Sequence, residues 1–206
     1  MQDFLKTLER CFEQPLPSQQ AHNDMLADIN FPKNKQKSEA SQSSVLILFY
    51  PRNNNIYTVF IERPLYDGIH SGQIAFPGGK MENSDNTLID TALRETKEEI
   101  GINQNKIKIS GSLSQVYVIP SNFLITPFVG IYEDEPVFKP DAREVSRLIE
   151  VPFDELLNKK NISKGQVKAA NGRSYNVPCF KLKNNIIWGA TAMILNEFIY
   201  LWDSSN

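Results

Sequence analysis

The chain has 206 residues, 41% hydrophobic and 22% charged, which is the composition of an ordinary folded domain and excludes a disordered, collagen-like or disulfide-scaffold polypeptide. Its 22 basic and 24 acidic residues leave a net charge of −2, with the basic ones scattered, so nothing favours nucleic acid or an anionic membrane as a partner, and a phosphate-rich ligand would need local cations. Cys11 and Cys179 lie far apart, form no C-x-x-C pair and read as reduced, packed thiols.

In chain order, MQDFLKTLERCFEQPLP lacks a basic segment followed by an apolar one, and no apolar run reaches the length of a membrane span, so cytoplasmic residence is expected. Phe4, Leu5, Leu8 and Phe12 recur at helical spacing over residues 2–13, and Pro15 and Pro17 forbid continuation, which predicts a short docking helix. Residues 18–43 are polar, with Lys33, Lys35 and Lys37, and read as a connecting segment. The expected organisation is therefore 1–43 as helix and connector, and 44–206 as one catalytic domain.

From Ser44, the β-rich runs SVLILFY and IYTVFIE flank the turn cluster PRNNN and predict a hairpin. A loop, RPLYDGIHSGQ, leads through IAF and PGGK to a helix from about Thr87 to Ile100, which Gly101 closes. Strand-like runs follow at 106–119 and 123–132, broken by Pro120-Ser121-Asn122, and at 145–151, ended by Pro152. The last segment, WGATAMILNEFIYLW, is apolar around most of a helix and should be buried against a mixed sheet.

The helix ending at Ile100 carries the chemistry. At about 100° per residue, Leu88, Ile89, Ala92, Leu93 and Ile100 fall within an arc of about 140°, and Glu99 projects inside it with Glu95 and Glu98 on its flank. A solvated helix face would set its glutamates beside lysines in water, whereas carboxylates clustered at a core edge repel one another unless cations neutralise them. Hard oxygen donors on a rigid element suit Mg²⁺ or Mn²⁺. Upstream, Gly78 and Gly79 let backbone approach a metal or phosphate with no side chain in between.

Together these residues, GGKMENSDNTLIDTALRETKEEIGI, resemble the signature of the Nudix hydrolase superfamily, G-x5-E-x7-R-E-U-x-E-E-x-G-U with U aliphatic. Arg94, Glu95, Glu98, Glu99, Gly101 and Ile102 occupy motif positions. Thr96 stands where an aliphatic residue is usual, and the interval from Gly79 to Arg94 is one residue longer, which leaves Glu82 or Asp85 as the early acidic residue. The longer spacing resembles the coenzyme A pyrophosphatase branch, whose upstream pattern L-L-T-x-R-S-x3-R-x3-G-x3-F-P-G-G is matched here at Arg63, Gly72, Phe76, Pro77, Gly78 and Gly79, with Ile61, Pro64 and Gly68 as departures. EVSRLIEVPFDELL and IWGATAMIL also look like that branch's C-terminal segments.

The resemblance implies an α/β fold: an α/β/α sandwich with a central mixed β-sheet, a catalytic loop-helix-loop, an N-terminal docking helix and a buried C-terminal helix. It implies hydrolysis of a nucleoside diphosphate linked to another moiety by attack of water on the anhydride, assisted by Mg²⁺ or Mn²⁺. Glu95, Glu98, Glu99 and the Gly79 carbonyl are the implied metal ligands. Arg94 orients a carboxylate, Glu95 first, its helical position being directed away from the cluster; otherwise it pairs with Asp90. The base stays open between Glu95 and a loop residue, Glu144. Arg63, His70 and Lys80 are candidate substrate contacts, and Tyr66, Phe123 and Phe128 are either stacking platforms or core. Coenzyme A or its acyl derivatives are the expected substrates, with ADP-ribose, NADH or another dinucleotide as the alternative. Behind these stand a non-catalytic ligand-binding module and an isopentenyl diphosphate isomerase using cysteine. The expected partner is a small nucleotide, and a homodimer stays open.

Overall fold

The computed structural model describes residues 1–29, 37–168 and 172–205. Its axis is β1 (Ser41–Arg52), in which Val45, Ile47 and Phe49 face one side and Leu46, Leu48 and Tyr50 the other. Apolar residues on both faces are what a central, doubly covered strand requires. β2 (Asn55–Glu62) returns antiparallel across a two-residue turn at Asn53-Asn54, both at positive φ, which matches the twist of the flanking strands.

On its other side β1 runs parallel to β7 (Phe123–Tyr132), which makes the sheet mixed. β3 (Ile74–Ala75) and β8 (Arg147–Pro152) pair with β2, and β4 (Gly78–Lys80) pairs with the start of β1. β5 (Ile107–Ser112) and β6 (Val116–Val118) pair with β7, completing eight strands. The helix α3 (Leu88–Ile100) covers the face of Leu46, Leu48 and Tyr50. The opposite face lies under α1 (Gln2–Cys11), α4 (Phe153–Leu157) and α5 (Gly189–Asp203), where Phe4, Phe49, Phe153, Phe198 and Trp202 form an aromatic cluster. This is the α/β/α sandwich anticipated from the sequence, with the docking helix and the buried C-terminal helix in the same layer.

Two features depart from the sequence reading. The polar segment 18–43 contains a helix, α2 (Ser18–Asp24), docked on α5 by buried polar groups: His22 Nε2 lies 2.9 Å from Glu197 Oε2, and Asn196 Nδ2 donates to the Ala21 carbonyl at 2.8 Å. Glu197 has no access to solvent and also accepts from the Ser18 and Ser114 amides, so α2 supplies donors that the C-terminal helix needs. The connector's Lys33 and Lys35 lie outside the described residues. The second departure is a separate antiparallel sheet of β9 (Ile162–Lys168), β10 (Ser174–Leu182) and β11 (Asn185–Trp188), for which no strands were expected. Among the described residues no helix is long and apolar enough to cross a membrane.

Candidate active site

The helix α3 is set by its ends. Thr87 and Asp90 form a reciprocal capping box, the Asp90 amide donating to Thr87 Oγ1 at 3.2 Å and the Thr87 amide to Asp90 Oδ2 at 2.8 Å. Gly101 ends it in the left-handed conformation, φ 71°, and a Cβ there would lie 2.4 Å from the Lys139 carbonyl oxygen. Asp90 is thereby committed to the cap rather than to Arg94.

Between these ends, Thr91, Ala92, Thr96, Glu99 and Ile100 are buried. The buried face is rotated from the predicted arc: Ile89 is exposed and Leu93 only half-buried, while Thr91 and Thr96 point inward. The two hydroxyls are satisfied, Thr91 by Asp85 at 2.9 Å and Thr96 by the Ala92 carbonyl at 2.6 Å, which is why a threonine is tolerated where an aliphatic residue is usual.

Glu99 is 2% exposed, as its place in the apolar arc implied. The Gly78 amide donates to its Oε2 at 2.8 Å, and Arg63 Nη1 stands 3.9 Å from its Oε1. Burial outweighs both and pushes the Glu99 carboxyl up to about 8. Burial also raises Glu95, against the pull of Arg94 and with Glu98 and Glu144 adding repulsion. Glu95 lies against the backbone of Gly79, where a Cβ would sit 2.4 to 2.6 Å from the carboxylate atoms, so any other residue would force the Glu95 carboxylate to shift.

Glu144, expected on a loop free to swing, is fixed at the site. Its segment is tied to the end of α3 by Lys139 and Asp141 amides donating to the Ile100 and Glu99 carbonyls, and to β2 by the Ser146 amide donating to Glu62. As a result Glu95, Glu99 and Glu144 each present a carboxylate oxygen within 4.8 Å of the others. Glu98 is not in that cluster; it sits exposed at the rim, accepting from Arg94 Nη1 at 3.0 Å.

Arg94 corrects the angular expectation. Its Cα lies away from the cluster, yet its long side chain reaches back: Nη1 donates to Glu95 and Glu98 at 3.0 Å, and Nε and Nη2 donate to Asp85 at 2.9 Å. Asp85 also accepts from Thr91 Oγ1 and the Glu82 amide. The inward acidic residue of the loop is thus Asp85, whereas Glu82 is exposed. The guanidinium holds Asp85 well below the usual carboxylate range.

The other sequence candidates divide. Arg63 borders the cluster, and among the described residues its buried Nε has no hydrogen-bond partner. His70, at φ 75°, lies with Nδ1 2.8 Å from Gln73 Oε1, and burial, with Arg63 nearby, lowers its pKa from the ordinary value and so disfavours its charged form. Lys80 is exposed and touches Arg94 only through its carbonyl. Tyr66 is exposed, Phe123 half-buried and Phe128 part of the core under α3. Cys11 and Cys179 are buried free thiols raised by burial, a poor state for the cysteine nucleophile of the isomerase reading.

Residues 40–170 match the family model of the NUDIX domain. The chain belongs to the Nudix family. It is 31% identical over 189 residues to Nudix hydrolase 3 of Caenorhabditis elegans, covering 82% of this chain and 77% of that protein. It is 36% identical over 128 residues to an uncharacterised Nudix hydrolase, NudL, of Yersinia enterocolitica, covering 62% of this chain and 65% of that one. A solved MutT/nudix family protein of Enterococcus faecalis superposes with a TM-score of 0.49 at 14% identity, over 85% of this chain and 66% of that one. The Nudix chain is therefore a hydrolase of phosphoanhydrides. Nudix hydrolases in general need divalent ions, and three converging carboxylates, one of them buried beyond what Arg63 at 3.9 Å balances, are a donor set that fits a hard cation.

Proposed function

We propose that this Nudix hydrolase cleaves the phosphoanhydride of a nucleoside diphosphate linked to another moiety, coenzyme A or its acyl derivatives first, giving 3′,5′-ADP and 4′-phosphopantetheine. The observation that carries the reading is the convergence of Glu95, Glu99 and Glu144 beside Gly79. Glu95, Glu99 and the Gly79 carbonyl would hold Mg²⁺ or Mn²⁺, with Glu98 at the rim as a further ligand facing substrate. When bound, such a cation neutralises phosphate charge and activates water. Arg94 keeps Glu95 and Glu98 in place, and Arg63 turns its unpartnered Nε–H to a phosphate oxygen. Glu144, the exposed member of the cluster, takes the proton of the attacking water; the water oxygen bonds to one phosphorus, and the bridging oxygen leaves with the other.

A dinucleotide such as ADP-ribose or NADH is the second reading, favoured by Gly68. The coenzyme A pattern has arginine there, and in this chain a Cβ would lie 2.6 Å from the Tyr66 ring, which occupies that space and offers an exposed face to a base. The test is a panel of coenzyme A, acetyl-coenzyme A, ADP-ribose, NADH, diadenosine polyphosphates and dNTPs with Mg²⁺ or Mn²⁺, products resolved by chromatography. Coenzyme A is expected to be cleaved fastest, and Glu98→Gln to slow that cleavage at least about tenfold. Cleavage of ADP-ribose or NADH with coenzyme A untouched would overturn the coenzyme A reading, and no cleavage with either metal would overturn hydrolysis of this substrate class.

A further inference from the structure

A cavity of about 350 Å³ opens between the loop that precedes β3 and the separate sheet of β9, β10 and β11. One wall carries Glu62, Gln73 and Arg147, and the other carries Gln166 and Lys168 of β9 and Trp188 of β11. Strand β11 lies beyond residues 40–170, the part that matches the NUDIX family model, so the cavity joins the shared catalytic domain to structure outside that match.

Two cations face it. Arg147 is held from two sides: Nε donates to Glu62 Oε2 at 2.7 Å, and Nη2 donates to Asn185 Oδ1 at 2.8 Å. Asn185 is itself buried and pinned through its Nδ2, which donates to the Leu182 and Lys183 carbonyls. The guanidinium is therefore oriented by the fold, and these bonds leave Nη1 to donate elsewhere. Lys168 is exposed and pairs with no carboxylate among the described residues. The one carboxylate on the wall, Glu62, is already engaged by Arg147.

The cavity adjoins the carboxylate cluster through the backbone. Arg63 follows Glu62 directly; its guanidinium stands 3.9 Å from Glu99, and its amide donates to the Gln73 carbonyl. The Glu62 carbonyl accepts from the Ser146 amide, close in the chain to Glu144. One arginine side chain thus spans from the cavity wall to the cluster, a separation on the scale of a nucleotide. The loop between brings no second cation: Gly68 stands where the coenzyme A pattern has arginine, and burial disfavours the charged form of His70.

We propose that this cavity binds a phosphomonoester that the substrate carries outside its cleaved diphosphate, with Lys168 and Arg147 as the cations that hold it. This rests on the hydrolase reading above and narrows its substrate class to nucleoside diphosphate derivatives with a further phosphate on the nucleotide, as coenzyme A has at the ribose 3′ position and NADPH at the 2′ position. Lysine and arginine make charge-assisted hydrogen bonds to phosphate oxygens, and a site built for that group rejects the analogue lacking it because its donors are left unpaired.

The test measures kcat/KM on matched pairs, coenzyme A against 3′-dephospho-coenzyme A and NADPH against NADH, in the native chain, Lys168→Glu, Lys168→Arg and Arg147→Gln. In the pair that it cleaves, the native chain is expected to favour the phosphorylated member at least about tenfold, mainly through KM. Lys168→Glu and Arg147→Gln should each reduce that ratio at least about fivefold, and Lys168→Arg, which keeps the charge, should retain it. A native ratio near one would overturn the proposal, as would variants that slow both members of a pair equally, the pattern of a purely structural role. Calorimetry without metal, comparing 3′,5′-ADP and 2′,5′-ADP with 5′-AMP, decides the cavity apart from catalysis. One bisphosphate should bind at least about tenfold more tightly than 5′-AMP, and Lys168→Glu should remove most of that margin. If neither pair is cleaved while this margin and its loss are seen, the hydrolase reading fails and the cavity keeps its ligand. If a pair is cleaved while both bisphosphates bind no better than 5′-AMP, hydrolysis stands and the proposal falls.

Discussion

Glu99→Gln is expected to reduce turnover at least about a hundredfold while leaving the metal-free fold as stable as the native one, or more so, at pH 8. Both halves come from one carboxyl. Glu99 is 2% exposed, its Oε2 accepts from the Gly78 amide, and its one ion-pair partner among the described residues is Arg63 at 3.9 Å, beyond hydrogen-bond reach. Glutamine keeps the shape and can still accept from Gly78, but it carries no charge to desolvate or to offer a cation.

The pH dependence follows with a definite sign. Burial raises the Glu99 pKa in the folded protein to about 8 from an ordinary 4.5. Between those values the folded chain holds a proton that the unfolded chain has released, so the Glu99 contribution to stability is present at low pH and is lost as pH rises towards 8. Melting in EDTA should therefore fall between pH 5.5 and 8 more steeply for the native chain than for Glu99→Gln. Mn²⁺ must displace the same proton, so its affinity should climb with pH up to about 8 in the native chain. A variant with native turnover, or identical pH slopes in EDTA, would show that Glu99 is not the charged centre of the site.

Much of this was legible in the sequence because the residues involved act locally. The start near Thr87, the stop at Gly101 and the intrusion of Glu99 on an apolar arc are properties of one helix, and the turn at Asn53-Asn54 is a property of two residues. The same angular reading failed for Ile89 and Arg94 for different reasons. Ile89 is exposed in the first turn of α3, while Thr91 and Thr96, polar in name, are satisfied inside. Arg94 is long enough that its Cα direction does not decide where its guanidinium binds.

What depends on distant partners stayed hidden. The helix α2 is seven residues, six of them polar, with no apolar period, and it packs against α5, where Asn196 and Glu197 are buried and use its donors and carbonyl. The strands β9 and β10 alternate lysines and asparagines with buried residues and carry Gly165 and Pro178, so their propensity signal is weak and their pairing is tertiary. Glu144 was a named loop candidate for the base, but its place within the carboxylate cluster rests on backbone ties of its loop to Ile100 and Glu99 that no local pattern encodes.

Asp85 shows how far the ligand helix depends on such a tie, and Asp85→Ala is expected to destabilise the fold by about 3 kcal/mol, the cost of leaving one member of a buried ion pair alone. The side chain of Asp85 is 3% exposed and that of Arg94 is 19%, so the pair is shielded enough for the loss to be felt. The carboxylate accepts from two guanidinium nitrogens, from Thr91 Oγ1 and from the Glu82 amide; alanine removes all four bonds, leaving Arg94 Nη2 and Thr91 Oγ1 only their contacts to the Lys80 and Thr87 carbonyls. For a chain of this length the loss corresponds to a fall in Tm of about 6 to 12 °C. Turnover should fall as well, because Arg94 holds Glu95 and Glu98 with the nitrogen that Asp85 leaves free, and a guanidinium released at one end no longer fixes the other. Asp85→Asn, which keeps the shape and one good acceptor, should lie between alanine and native in both measurements. If Asp85→Ala melts with the native chain and turns over at the native rate, Arg94 is held by the glutamates alone. If it loses stability but not turnover, the loop braces the helix without governing where Glu95 and Glu98 point.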